Sequence, residues 1–129
     1  MYYKYFTIIA FTLISTTLFS QSRMDKMKAT PATEMAEKMT SMLQEKLALS
    51  DEQTTQVKPI MLEDAKQKKD ILENSSIFTI RGRMKSLQKE TKGKLASILT
   101  EDQIKLYKDR VADEMQDEFK AWIDSRKVD

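Results

Sequence analysis

Apolar side chains recur every three or four residues from residue 35 onward, which is the spacing of one face of an α-helix. Four such stripes follow one another. The first two contain Met35, Met39, Met42, Leu43 and Leu47, then Val57, Ile60, Met61, Ala65, Ile71 and Leu72. The last two contain Met84, Leu87, Thr91, Leu95 and Ile98, then Ile104, Tyr107, Val111, Met115, Phe119 and Trp122. The pattern predicts an all-α fold of about four helices, arranged as two antiparallel helical hairpins.

Two similar five-residue segments lie fifty residues apart, LSDEQ at 49–53 and LTEDQ at 99–103. Ser50 with Gln53 and Thr100 with Gln103 fit the capping box, in which a hydroxyl and a glutamine satisfy free amides at a helix start. The acids between them suit the positive end of the helix dipole. Leu49 and Leu99 precede the caps and can pack back onto the first helical turn. Each segment therefore predicts the start of a helix.

Other residues predict the remaining helix boundaries. Thr30-Pro31 is expected to open the first helix, with Thr30 as its cap. Pro59 should kink or break the second helix near Thr55, and residues 74–76 (NSS) are the candidate turn after it. Residues 77–80 (IFTI) form either a loop or a first helical turn. The helical domain is thus expected to span residues 30–126, followed by a short tail at 127–129.

The N-terminal residues differ in composition from the rest. Residues 1–20 carry one charge, Lys4, then an apolar run and small hydroxyl residues, the order of a secretory signal peptide. The alternative is an uncleaved anchor, although the apolar run is short for a membrane span of about 20 residues. Residues 21–29 are polar and have no cap, so we interpret them as a flexible arm. An exported protein without stable membrane insertion is expected.

The composition excludes several classes of chemistry. The chain of 129 residues has no Cys and no His, so thiolate and imidazole metal ligands and His-dependent triads are absent. Gly82 and Gly93 stand alone, without a phosphate-binding loop. We therefore predict no enzyme, no cofactor and no metal site, although clustered methionines could in principle hold copper(I).

Charge is unevenly distributed, although the formal net charge is only +2. Six basic residues and one acid lie between Arg81 and Lys94, and seven acids and three bases lie between Thr100 and Phe119. On a helical wheel, cations border the third stripe on both flanks, with Arg81, Lys85, Lys89 and Lys92 on one side and Arg83 and Lys94 on the other. Such a basic-rimmed apolar stripe could bind unfolded protein, or it could be an ordinary core face with a solvated rim. The predicted client-binding residues are Arg81, Met84, Lys85, Leu87, Lys89 and Lys92.

Methionines are frequent in the first part of the chain after the leader. Met35, Met39 and Met42 form either a core stripe or an adaptable client contact, because methionine suits promiscuous binding surfaces. They are secondary client-binding candidates.

The paired boxes, the leader and the Met- and Lys-rich chain resemble the Spy/CpxP, or LTXXQ-motif, family of small exported helical proteins of the bacterial envelope. The boxes at 49–53 and 99–103 match the family motif, with Ser50 in place of threonine, and the resemblance covers about Met35 to Trp122. It implies a cradle-like antiparallel homodimer in the periplasm that acts as an ATP-independent chaperone and takes part in a stress response. Some relatives instead regulate a sensor kinase or bind metals.

Two classes of partner therefore stay open. One is partly unfolded client proteins, and the other is a single folded partner, such as a sensor kinase, bound by an envelope-stress adaptor. Nucleic acid is disfavoured by export and by the near-neutral charge. Anionic lipid is a weaker alternative, because the third stripe lacks large aromatic residues.

Overall fold

The computed structural model describes residues 21–127, and almost all of them are helical. The helices are α1 (Gln21–Ala29), α2 (Ala32–Leu47), α3 (Asp51–Asn74), α4 (Ile77–Ala96), α5 (Glu101–Leu106) and α6 (Ala112–Ser125). A π-helical turn, Tyr107–Val111, joins α5 and α6 into one continuous helix. The predicted all-α fold is confirmed. The predicted leader, residues 1–20, and the last two residues of the tail lie outside the described residues.

The helices form two hairpins, and each of the two long helices of the second hairpin packs against the first hairpin. Helix α3 packs against α2 and α4, whereas α6 packs against α2 and α1. Ion pairs join opposite ends of α2 and α6, Glu34 with Arg126 at 2.6 Å and Lys46 with Glu118 at 2.7 Å, so these helices are antiparallel. Helices α4 and α6, the two legs of the second hairpin, are not among the closely packed pairs. This arrangement leaves an open seam between α4 and α6.

Helix α3 continues through Pro59, so of the predicted kink or break the break does not occur. Proline removes the hydrogen bond to the carbonyl four residues earlier, which belongs to Thr55. Both residues are exposed, and water can therefore replace the lost donor. The helix ends at Asn74, as residues 74–76 predicted, and residues 77–80 form the first turn of α4.

Both predicted capping boxes are present. The Ser50 hydroxyl accepts from the Gln53 amide at 3.1 Å, and the Gln53 side chain accepts from the Ser50 amide at 3.1 Å. The corresponding distances between Thr100 and Gln103 are 3.3 and 2.9 Å. Leu49 and Leu99 are buried just before the caps. The two boxes thus begin α3 and α5.

The two box glutamines also bind each other, and we call Gln53 and Gln103 the glutamine clasp. Gln53 Nε2 donates to Gln103 Oε1 at 2.7 Å, and Gln103 Nε2 donates to Gln53 Oε1 at 3.2 Å. Each Nε2 also donates to a backbone carbonyl of the other hairpin, that of Ile98 for Gln53 and that of Leu47 for Gln103. Both amide donors and both acceptor positions of each glutamine are therefore used. The clasp holds the turns of the two hairpins together.

One continuous apolar core unites the helices. Its centre includes Met35, Leu43, Val57, Leu95 and Ile123, each at most 1% exposed. Complete burial of such a side chain contributes about 1.5–3 kcal/mol relative to exposure. The core therefore draws on both hairpins and depends on their relative placement.

The interpretation of residues 21–29 as a flexible arm is wrong, because they form helix α1. Met24 and Met27 lie one turn apart and are buried in the core. Arg23 donates two hydrogen bonds to the Asp124 carboxylate, at 3.0 and 2.8 Å, and Lys26 donates to the Asp124 carbonyl. The contacts that order α1 thus come from the far end of the chain.

The prediction that Thr30 caps α2 is also wrong. The Thr30 hydroxyl donates to the Lys26 carbonyl at 2.7 Å, inside the end of α1, and Thr30 is almost completely buried. Pro31 occupies the cap position without a side-chain bond. Because α1 precedes α2 directly, Thr30 serves the end of one helix rather than the start of the next.

The last helix extends from Glu101 to Ser125, as predicted, but its buried stripe ends at Ile123 rather than at the predicted Trp122. Val111, Met115, Phe119 and Ile123 are buried, whereas the predicted Trp122 is only partly buried at the edge of the core.

The clasp requires glutamine at position 103, and Gln103→Glu tests this requirement. A carboxylate accepts from the Thr100 amide but donates to neither Gln53 nor the Leu47 carbonyl. We expect the free energy of unfolding to fall by about 1–3 kcal/mol, because buried acceptors lose their donors. Chemical denaturation measures the change. The control is Gln56→Glu at an exposed position of α3. Its free energy of unfolding is expected to stay within about 0.5 kcal/mol of that of the unsubstituted protein. Equal effects of the two substitutions would contradict the role of the clasp.

The contribution of the contact between α1 and α6 to stability should be lost at acid pH. Hydrogen bonds from Arg23 lower the pKa of the Asp124 carboxyl below its ordinary value. A lowered folded-state pKa stabilises the protein above the ordinary pKa of about 4, and this contribution disappears as the pH falls through the folded-state value. Asp124→Asn should therefore lower Tm at pH 6 and leave it unchanged at pH 2. Asp113→Asn, which replaces an exposed acid on the same helix, is the matched control. Thermal melts of both variants at both pH values measure the changes in Tm.

Candidate functional site

A groove lies in the seam between α4 and α6, with α2 and α3 as its floor. Its volume is about 370 Å³, within the range of about 300–1,000 Å³ of small-ligand sites. Helix α4 forms one wall, the helix from α5 to α6 forms the other, and α1 closes one end through Arg23 and Met27. Helices α1, α2, α3, α4 and α6 and the π-helical turn thus contribute lining residues to the groove.

The groove is lined mainly by apolar and sulfur-containing side chains. Five methionines from different helices contribute: Met27, Met39, Met61, Met84 and Met115. Leu43, Leu95, Phe119 and Ile123 complete the apolar lining. Methionine has three rotatable bonds and a polarizable sulfur, so a methionine-rich surface adapts to apolar groups of different shape.

The groove is bordered by cations, and we call Arg81, Lys85 and Lys120 the rim cations. The first two lie on α4 and the third lies on α6, so both walls are basic. No ion pair involves a rim cation within residues 21–127. Their charge is therefore available to an anionic ligand or segment.

Asp64 is the one carboxylate among the lining residues, and it is already bound. Its Oδ2 lies 2.7 Å from Lys68 Nζ, and its Oδ1 accepts from the Thr91 hydroxyl at 2.7 Å. Lys68 also lies 5.4 Å from the centre of the Phe119 ring, in a cation–π contact. These bonds join the floor of the groove to both walls.

Tyr107 lies in the π-helical turn on the wall opposite α4. Burial raises the pKa of its hydroxyl, and the nearby negative charge of Asp64 raises this pKa further. Tyr107 therefore stays neutral near neutral pH and offers the groove a hydroxyl. π-Helical turns occur frequently at functional sites.

Four of the predicted client-binding residues line the groove: Arg81, Met84, Lys85 and Met39. Lys89 and Lys92 are exposed on α4 but lie outside the lining. The predicted basic face of α4 is thus divided, with only its first part at the groove.

Three other candidates belong to the core. Met35 is 1% exposed, Met42 is 2% exposed and Leu87 is 4% exposed. These three side chains are buried and lie outside the groove lining, unlike the equally buried Met61 and Met115, which corrects their assignment as contact residues. On α4, Leu87 lies just outside the row of residues that faces the groove. A helical wheel therefore does not distinguish it from Met84, which faces the groove.

Sequence reasoning missed the contribution of α3 and α6 to the groove. Met61, Met115, Phe119 and Lys120 line it together with the predicted α4 residues. The apolar stripes of α3 and α6 are visible in the sequence. The spacing within one stripe, however, does not distinguish residues that pack against another helix from residues that line a cavity. The frequency of methionine across all four stripes was the available signal.

A separate apolar feature lies at the start of α4. Phe78 is 94% exposed and Ile77 is 74% exposed, and we call these two residues the apolar tip. Among the described residues they are the large hydrophobic side chains most exposed to solvent. Adjacent exposed hydrophobic residues of this size are typical of an interaction site.

A second hollow, of about 460 Å³, lies between α2 and α3 on another face. Leu62 is its one large apolar lining residue, and the others are mostly polar. The Thr40 hydroxyl in its lining is buried and has no hydrogen-bond partner within the described chain. Because neither a methionine nor an aromatic residue lines it, this hollow is the weaker binding candidate.

Within residues 21–127, no group of three acidic side chains lies close enough to hold a metal ion. No helix in the same range is long and apolar enough to cross a membrane.

Comparison of the chain with known protein families, with curated proteins and with solved structures found no match. The resemblance to the Spy/CpxP family therefore stays a prediction from the paired boxes. The groove and the apolar tip are the features on which a functional proposal can be based.

Proposed function

We propose that the protein is an exported, ATP-independent chaperone that binds partly unfolded proteins in the groove between α4 and α6. The observation that carries this proposal is an open groove lined by five methionines and bordered by the three rim cations. Such a surface accepts apolar side chains without requiring a particular sequence. The rim cations attract acidic segments over a distance of about 10 Å at moderate salt.

Two further observations support the proposal. The leader-like composition of residues 1–20 favours export, and the paired boxes resemble those of envelope chaperones, so we place the protein in the periplasm. The resemblance also suggests a homodimer. The exposed apolar tip is consistent with a second protein surface covering it, because exposed apolar side chains are unfavourable in water.

The direct test is suppression of aggregation without nucleotide. Two unrelated denatured proteins, one acidic and one basic, are diluted into buffer with the purified protein, and light scattering is followed. Suppression of both near one protein dimer per client is expected. Failure with both clients would reject the chaperone proposal, whatever the fold.

Charge reversal then locates the client surface. Arg81→Glu with Lys85→Glu should weaken suppression of the acidic client about tenfold, since each reversal changes the interaction by about 0.7 kcal/mol. Lys89→Glu with Lys92→Glu makes the same change of charge on the same helix outside the groove and should have little effect. Circular dichroism confirms that both variants stay folded. Equal loss in the two variants would indicate a general charge effect and contradict the groove assignment.

The second candidate function is an adaptor that binds one folded partner, such as an envelope sensor kinase. The apolar tip favours this alternative, because a single exposed aromatic residue is typical of the anchors that dominate specific interfaces. Partner binding would then use Ile77 and Phe78 rather than the groove.

A photo-crosslinking phenylalanine analogue at position 78 separates the two functions. An adaptor should give one discrete crosslinked product with a different protein in expressing cells and no suppression of aggregation in vitro. A chaperone should give suppression, and no discrete product other than a crosslink between two copies of this chain.

A further inference from the structure

We infer that the groove between α4 and α6 also binds a single-chain anionic amphiphile, of the class of a long-chain fatty carboxylate. This inference does not rest on client binding, because the groove has the shape and charge of a small-ligand site. It assigns a small-ligand class to the same groove that the proposed chaperone activity uses.

The cavity matches one alkyl chain in size and chemistry. Its volume of about 370 Å³ lies near the lower end of the range of about 300–1,000 Å³ for small-ligand sites. One chain therefore suits it better than the two chains of a phospholipid. The lining side chains of Met39, Met61, Met84 and Met115 come from four different helices and offer no strong hydrogen-bond donor to the centre of the groove.

The charges at the border select the sign of the ligand. Arg81 and Lys85 on one wall and Lys120 on the other are rim cations without an ion pair in the described chain. Asp64, the one acid in the lining, is already bound by Lys68 and Thr91. A carboxylate at the mouth would gain charge-assisted hydrogen bonds from these donors, whereas a cationic head group would be repelled.

The same charges argue against a metal ion. Several thioethers line the groove and could bind copper(I). A cation entering the groove would, however, meet the three rim cations, and Asp64 is neutralised by Lys68. An apolar chain with a negative head is therefore the occupant that satisfies both the lining and the border.

The test compares three ligands with the same twelve-carbon chain: dodecanoate, dodecanol and dodecylammonium. Dodecanoate and dodecylammonium are titrated below their micellar concentrations, and dodecanol below its solubility limit, into purified protein with ¹³C-labelled methionine methyl groups, at pH 8 and fixed salt. The methyl signals of Met27, Met39, Met61, Met84 and Met115 report the groove. Met24, Met35 and Met42 are buried outside it and serve as internal controls.

The expected result is a saturable shift of the groove methionines alone, with dodecanoate binding at least tenfold more tightly than dodecylammonium. Arg81→Glu with Lys85→Glu should weaken dodecanoate about tenfold and leave dodecanol within about twofold. Lys89→Glu with Lys92→Glu should leave both ligands unchanged.

Three results would overturn the inference. The first is no shift with dodecanoate, and the second is equal affinity for the three head groups. The third is a shift of Met24, Met35 and Met42 together with the groove methionines, which would mean general loosening of the core by detergent. Client suppression is measured separately, so failure of this ligand does not affect the chaperone proposal.

Discussion

The mutual hydrogen bonding of Gln53 and Gln103 is the interaction on which the arrangement of the helices depends. Each glutamine caps its own helix, accepts from the other glutamine and donates to the turn of the other hairpin. A capping box alone would accept glutamate as well as glutamine. The clasp needs the amide, because an ionised glutamate accepts hydrogen bonds but donates none. The repeat thus acts as one joint made from two copies rather than as two separate helix starts.

The groove follows from the way this joint places the second hairpin. At the clasped end the starts of α3 and α5 meet, and beyond it α4 packs on α3 while α6 packs on α2. The two legs diverge over the first hairpin, and the bond of Asp64 with Thr91 and the ion pair of Lys46 with Glu118 hold one leg each. Helix α1 then closes one end through Arg23 and Asp124. The apolar seam between α4 and α6 is therefore open although the core below it is continuous. The rim cations of this seam come from both helices.

Local features of the fold could be predicted from the sequence, whereas features that depend on distant partners could not. The starts at Ser50 and Thr100 were predictable because a capping box lies within four residues. Helix α1 was missed because Asp124, which binds Arg23, lies 101 residues away. For the site, periodicity identified Arg81, Met84 and Lys85 but also selected the buried Leu87 and the distant Lys89. The lining residues of the groove belong to several helices, so no single stripe could separate groove from core.

A double-mutant cycle on the clasp tests this account most directly. The free energy of unfolding is measured for Gln53→Ala, Gln103→Ala and the double variant. If the two amides form one joint, the single effects should not add, and the coupling energy should be about 1–3 kcal/mol. The parallel cycle of Gln103→Ala and Asp124→Asn combines two distant side chains that share no hydrogen-bond partner, and it should be additive within about 0.5 kcal/mol. Additivity in the glutamine cycle as well would mean that the repeat only begins two helices, and would contradict the account.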